Sequence, residues 1–207
     1  LTSLWIALTA FVLYQCVKLL LKDEKAAIAS GAIYSFFIST WSFYGISITP
    51  EVYFNLFTIT AFYLLMRKQS VLNYTLAGLV AGLGFLVKYF VLFDFAAFLI
   101  FFAINEYSTG GIKGFVKLIF RSAAAGAGFL IPFLILNLVY YSGDHFNDFV
   151  NIVYLAPGRY PSPFNPWKML KFILEFHLLF LPILVMFYYV LLQKLETDIN
   201  RSSFKLL

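Results

Sequence analysis

Glu51, Lys88, Asp94, Glu175 and His177 lie inside or at the ends of long apolar runs. An ionisable group at bilayer depth costs at least a few kcal/mol unless it is paired or hydrated, so each such residue marks a candidate site. Glu51 opens an apolar run behind Thr49-Pro50, and Lys88 closes another. A carboxylate and an ammonium brought to one membrane face can bind an anion or steer a proton. Asp94 follows Lys88 closely and adds a second carboxylate. Arg159 stands between Pro157-Gly158 and Tyr160-Pro161. A rigid turn that presents a guanidinium suits phosphate recognition, because the planar fork donates to two oxygens at once. The plainer reading of these charges is snorkelling, or an ion pair of Lys88 with Asp94 or Glu51. Asp144-His145 with Asp148 can ligate a metal, but a solvated loop is the reading we adopt. No P-loop, dinucleotide fingerprint, H-E-x-x-H or G-x-S-x-G occurs.

The frame that positions these residues is set by composition. The chain of 207 residues is 62% hydrophobic, 21% aromatic and 12% charged, against a usual charged share of about 25%. Too little polar surface remains to face water, so lipid must solvate most of the chain. The net charge of +5 does not point to nucleic acid. Lys and Arg cluster in short connections between apolar runs, as in cytoplasmic loops of membrane proteins. The single cysteine, Cys16, lies in an apolar run and reads as packing, with no disulfide or zinc framework.

A span needs about 20 apolar residues to cross roughly 30 Å of hydrocarbon. Apolar runs fall at about 3–21, 26–48, 52–66, 74–87, 89–104, 122–141 and 172–192. They predict an all-α, polytopic transmembrane helical bundle of about seven spans in a single domain, with an outer loop segment at 142–166. Residues 74–104 can form one helix of about 46 Å, or two helices that turn near Lys88. Charge counting decides between them. Two helices put eleven of the 15 Lys and Arg residues on the cytoplasmic side and four outside. One helix gives eight against six and strands Lys88 mid-membrane. The positive-inside rule selects two helices, although no Gly or Pro marks the turn. The N-terminus then lies outside. No basic n-region or cleavage site precedes the first run, so the chain is expected to be a piece of a longer one, cut at both ends. The helix at 74–87 covers only about 21 Å, which sinks Lys88 below the outer surface in a dip or water-filled cavity. Gly78 and Gly82, flanked by Ala77 and Ala81, form a G-x-x-x-G that lets helix backbones approach closely. The similar stretch at 122–128 also reads as packing.

Thr49-Pro50-Glu51 opening a span, the basic turn Arg67-Lys68, and Leu76-Ala77-Gly78-Leu79 through Gly82-Leu83-Gly84-Phe85-Leu86-Val87-Lys88-Tyr89 carry a resemblance. This pattern resembles the membrane glycosyltransferases of the C superfamily. The nearest branch is the dolichyl-phosphate-mannose protein mannosyltransferase and aminoarabinose transferase group, family 39. The resemblance covers about residues 1–104, and the later half agrees only in its alternation of spans and an outer loop. It implies a multi-pass enzyme of the bacterial inner (plasma) membrane and cell envelope. Such a hexosyl- or pentosyltransferase passes a sugar from a polyprenyl-phosphate donor to a lipid, glycan or protein acceptor at the extracytoplasmic face. No cofactor and no metal are expected. By the same resemblance, Glu51 matches a recurrent acidic position and Lys88 a recurrent Lys near the donor phosphate. The principal catalytic acid is expected upstream, in a first outer loop, so this piece alone should be inactive.

The resulting expectation places Glu51 and Asp94 in catalysis and Lys88 and Arg159 on the donor phosphate. A phosphate leaving group needs cations, and an acceptor hydroxyl needs a carboxylate in reach. Glu51 reads as a support or second acid rather than the base. A transporter or flippase of lipid-linked sugars or small solutes is the alternative. It should show inverted repeats and broken helices, and the halves show no self-similarity beyond the break at Lys88. A non-catalytic scaffold leaves the one-sided charges without a reason.

Overall fold

A computed structural model describes residues 1–39, 49–156, 165–181, 184–185 and 188–189. Its first element, α1 (Thr2–Leu21), has 20 residues and so runs about 30 Å. Lys22 ends it in the left-handed conformation (φ 54°), with its N–H on the Lys18 carbonyl. Asp23 then caps α2 (Glu24–Ile38), its carboxylate accepting from the backbone N–H groups of Lys25 and Ala26 at 2.8 and 3.2 Å. Two residues thus reverse the chain. Lys18 pairs with Glu24 across the turn at 2.6 Å, and the Tyr14 phenol donates to the same carboxylate.

α3 (Pro50–Arg67) starts with Pro50 in its first turn, where the missing N–H costs nothing. Lys68, in an extended conformation, ends it. Ser70 caps α4 (Val71–Val87), accepting from Asn73 N–H at 3.2 Å. The cap sets the start of α4 at Val71, three residues before the apolar run that was expected to define it. Its 17 residues cover about 26 Å.

α5 (Val91–Ser142) is two helices joined at Gly111, whose backbone (φ 57°, ψ −148°) only glycine adopts readily. The first arm is 91–110 and the second is Gly111–Ser142. Glu106 and Arg121 meet at 3.2 Å, whereas fifteen residues of straight helix would part them by about 22 Å. The chain therefore turns back on itself at one residue. This corrects the connection implied between the apolar runs at 89–104 and 122–141. The reversal is a helical kink, so Lys113, Lys117 and Arg121 ride on the second arm rather than in a connection. Among the described residues every element is helical and no strand occurs. The expected outer loop at 142–166 also carries structure, with α6 (Phe146–Val150) followed by a π-helical turn (Asn151–Leu155).

The chain forms two compact units, Leu1–Asn151 and Ile152–Leu207. The second unit contains α7 (Pro166–Leu179), capped by Asn165, which accepts from Trp167 and Lys168 N–H groups. In the first unit, α1 packs on α2 and α3, α3 packs on α4, and α4 packs on α5. The core gathers Ala61, Leu65, Tyr74, Ala77, Ala81, Val91, Phe95, Phe102, Leu118 and Ala125. Phe62 rests on Phe98 with ring centroids 4.6 Å apart, and Phe95 stacks on Phe129 at 6.0 Å.

The tightest seam joins α4 to the second arm of α5. A Cβ on Gly78 would lie 2.8 Å from the Ala125 carbonyl carbon and 2.9 Å from Phe129 N. One on Gly82 would press on the Phe129 carbonyl, and one on Gly128 on that of Thr75. The two small-residue stretches of the sequence are thus the two sides of one contact. Exposed apolar side chains line α1, α2, α4 and both arms of α5, including Phe11, Phe36, Leu72, Ile100, Phe120 and Leu138. α1 and Gly111–Ser142 are each long and apolar enough to cross a membrane, and α4 is a shorter apolar helix. The chain is that of a membrane protein.

Candidate functional site

Lys88 owes its place to the way α4 ends. Its N–H still bonds the Gly84 carbonyl at 2.9 Å. Its φ and ψ of −153° and 126° are extended, so the helix stops there without Gly or Pro. The Val91 N–H returns to the Lys88 carbonyl at 3.3 Å and starts the turn into α5. The turn leaves the ammonium at the end of the α3–α4 pair where α3 begins. One turn earlier, Gly84 gives α3 room to approach. A Cβ there would lie 2.7 Å from Phe57 Cβ.

Glu51 meets Lys88 at that end. Lys88 Nζ donates to Glu51 Oε1 at 2.8 Å, and the ammonium also lies 5.8 Å from the Phe90 ring centroid, within cation–π range. The Lys88 side chain is 26% exposed and that of Glu51 48%. The pair is therefore open on one side rather than buried. An ammonium has three donors, and Glu51 takes one, which leaves donors for an anion arriving at the open side. Glu51 stands ahead of the apolar run that begins at Val52. The Lys88 hydrogen bond, and then its own backbone N–H, hold its carboxyl below the usual carboxylate range. Glu51 therefore stays a carboxylate throughout neutral pH.

Asp94 occupies the first turn of α5, half-buried. Its backbone N–H bonds the Phe90 carbonyl at 3.3 Å, and its carboxylate has no hydrogen-bond partner among the described residues. Arg159 lies outside the described residues. Glu175 and His177, both on α7, are occupied within that helix. Glu175 pairs with Lys171 at 3.6 Å, and His177 Nδ1 lies 2.7 Å from the Ile173 carbonyl. Among the described residues no three His, Cys, Asp or Glu side chains gather to hold a metal, Asp144, His145 and Asp148 included.

A second polar cluster at the opposite end of the α3–α4 pair escaped the sequence reading. Arg121 donates to Glu106 at 3.2 Å and to Gln69 at 3.3 Å, and the Tyr74 phenol donates to the same Gln69 oxygen at 2.7 Å. It ties both arms of α5 to the α3–α4 turn. The available signal was a Glu and an Arg flanking Gly110-Gly111, which a hairpin brings together.

Residues 1–136 match the family model described as dolichyl-phosphate-mannose-protein mannosyltransferase. No curated protein matches the chain, and no solved structure does.

Proposed function

This chain belongs to the dolichyl-phosphate-mannose-protein mannosyltransferase family, a family of glycosyltransferases, and on that premise we propose that it moves a sugar from a polyprenyl-phosphate donor to an acceptor at the extracytoplasmic face. The observation that carries the proposal is the Lys88–Glu51 pair, held at 2.8 Å and open on one side. In this reading the acceptor oxygen bonds to the anomeric carbon while the bond from that carbon to the phosphate oxygen breaks. The electron pair leaves with the phosphate, where Lys88 meets the charge. Preorganised cations aimed at developing charge usually contribute most to lowering such a barrier. The acceptor proton needs a carboxylate. Within this chain that group is Asp94, whose carboxylate is unclaimed among the described residues. Glu51 acts through Lys88 as a positioning residue. The arrangement is read as about seven spans of a plasma-membrane enzyme, with a lipid, glycan or protein as acceptor.

The test uses the full-length protein in lipid nanodiscs with polyprenyl-phosphate mannose. Asp94→Asn should bind the donor normally and lower turnover at least about tenfold, or about 1.4 kcal/mol. Wild-type turnover in that variant removes Asp94 from the chemistry. A wild-type protein that binds the donor yet transfers nothing to any acceptor class sinks the transferase reading.

A further inference from the structure

A cleft of about 230 Å³ lies in the fork where α2 and α3 both pack on α1. Its walls are Thr9 and Leu13 of α1, Tyr34 of α2, and Asn55, Thr58 and Ile59 of α3. Four of these six residues are polar, in segments that are otherwise apolar. The Thr9 hydroxyl donates to the Trp5 carbonyl at 2.9 Å and also partners the Tyr34 phenol. Asn55 Nδ2 reaches the Tyr34 phenol only at 3.5 Å, the limit of a hydrogen bond. Thr58 Oγ1 is buried and has no partner among the described residues. A helical Thr normally returns its hydroxyl to the carbonyl one turn back, and Thr58 does not. In hydrocarbon an unmet hydroxyl costs of the order of 1–3 kcal/mol, and a χ1 turn that swings Oγ1 into the cleft would let an occupant meet it.

Three features define the occupant. Hydroxyls and an amide line the cleft and no charged side chain does, so an ion would enter without a counter-charge at a cost of several kcal/mol. The occupant is neutral and rich in hydroxyls. Asn55 and Thr58 lie about 6 and 10 Å along α3 from Glu51 at 1.5 Å per residue, and Trp5 and Tyr53 sit near that same end, Trp5 Nε1 donating to the Tyr53 carbonyl at 2.8 Å. Trp and Tyr favour the membrane–water interface, so a headgroup can reach this depth. Leu13 and Ile59, one residue or one turn further from the Glu51 end, offer an apolar continuation. We propose that this cleft binds the neutral, hydroxyl-bearing headgroup of a lipid, at a site separate from the Lys88–Glu51 pair that faces an anion.

The test takes the full-length protein in nanodiscs with Cys16→Ala and Thr58→Cys and follows alkylation by N-ethylmaleimide. Octyl glucoside, below its solubilising concentration, is the neutral probe. Octyl sulfate and octyltrimethylammonium, with the same chain, are the charged controls. Saturating glucoside should slow alkylation at least about tenfold, as expected when bound protein is protected, and the charged controls should not. Asn55→Leu should abolish the protection. Equal protection by all three amphiphiles, protection by none, or a thiol in the Thr58→Cys variant that never reacts would each overturn the proposal. If Thr58→Cys fails to insert, Leu13→Cys on the facing wall carries the same comparison.

Discussion

Gly78→Ala is the substitution that the packing judges most severely. The new Cβ would stand 2.8 Å from the Ala125 carbonyl carbon and 2.9 Å from Phe129 N, and closer still to the Ala125 oxygen. Carbon atoms in good contact are about 3.5–4.0 Å apart, so the seam must open by at least about 0.7 Å. Both sides of that seam are helix backbone, which cannot rotate away as a side chain can. Overpacking of this kind typically costs about 1–3 kcal/mol. The displacement also travels along α4 to its end, because Lys88 follows Val87 without a flexible joint. A misplacement of about 1 Å at a reacting centre can cost about 10²-fold in rate. We expect Gly78→Ala to melt at lower temperature in nanodiscs and to lose at least about tenfold in sugar transfer. Gly126→Ala is the control. Nothing lies within 4 Å of a Cβ there, and the same two assays should read wild type. Wild-type melting and turnover in Gly78→Ala would refute the seam and the role given to it.

Two further outcomes follow from the same geometry. Lys68→Cys and Lys113→Cys should be labelled from one side of the membrane, and labelling of the two from opposite sides would contradict the topology; Ser70 is left intact because it caps α4. Glu51→Gln should separate stability from turnover. The pair is half-exposed on the Glu51 side, so its loss should change stability by no more than about 1 kcal/mol, while turnover should fall at least about tenfold. With its folded pKa lowered, Glu51 contributes stability that is present above the unfolded carboxylate value of about 4.3 and lost as pH falls through the folded one. From pH 5 to 8 the melting difference between wild type and Glu51→Gln should therefore stay constant, and a difference that vanished within that window would refute the assignment.

The part of this architecture that local sequence determines was readable in it. Apolar runs and basic connections imply helices in lipid. Charge asymmetry alone breaks the chain at Lys88, where the structure ends α4 without Gly or Pro. The meeting of Glu51 with Lys88 follows from an antiparallel pair of similar lengths. Partner choice was not readable. The G-x-x-x-G at Gly78 and Gly82 announces a close neighbour, yet only tertiary structure selects Ala125 and Phe129, because any helix with small residues satisfies the same local rule. The Arg121–Glu106–Gln69 cluster was missed because a glycine pair reads as a loop, and one left-handed residue at Gly111 makes a helical hairpin instead. Depth of burial was also beyond the sequence. Two charges in apolar surroundings suggest a buried pair, in which loss of one partner costs about 3–5 kcal/mol, and the open side of Glu51 rules that cost out.

The central claim is that Lys88 meets a phosphate. Donor affinity, measured by titrating full-length protein in nanodiscs with polyprenyl-phosphate mannose, tests it directly. A hydrogen bond to a charged group contributes about 1.5–3 kcal/mol, so Lys88→Ala should weaken donor binding roughly 10- to 150-fold. Lys88→Arg should retain part of it, because the charge remains while the point geometry is lost. Wild-type affinity in Lys88→Ala, with the protein inserted and folded, would contradict the account.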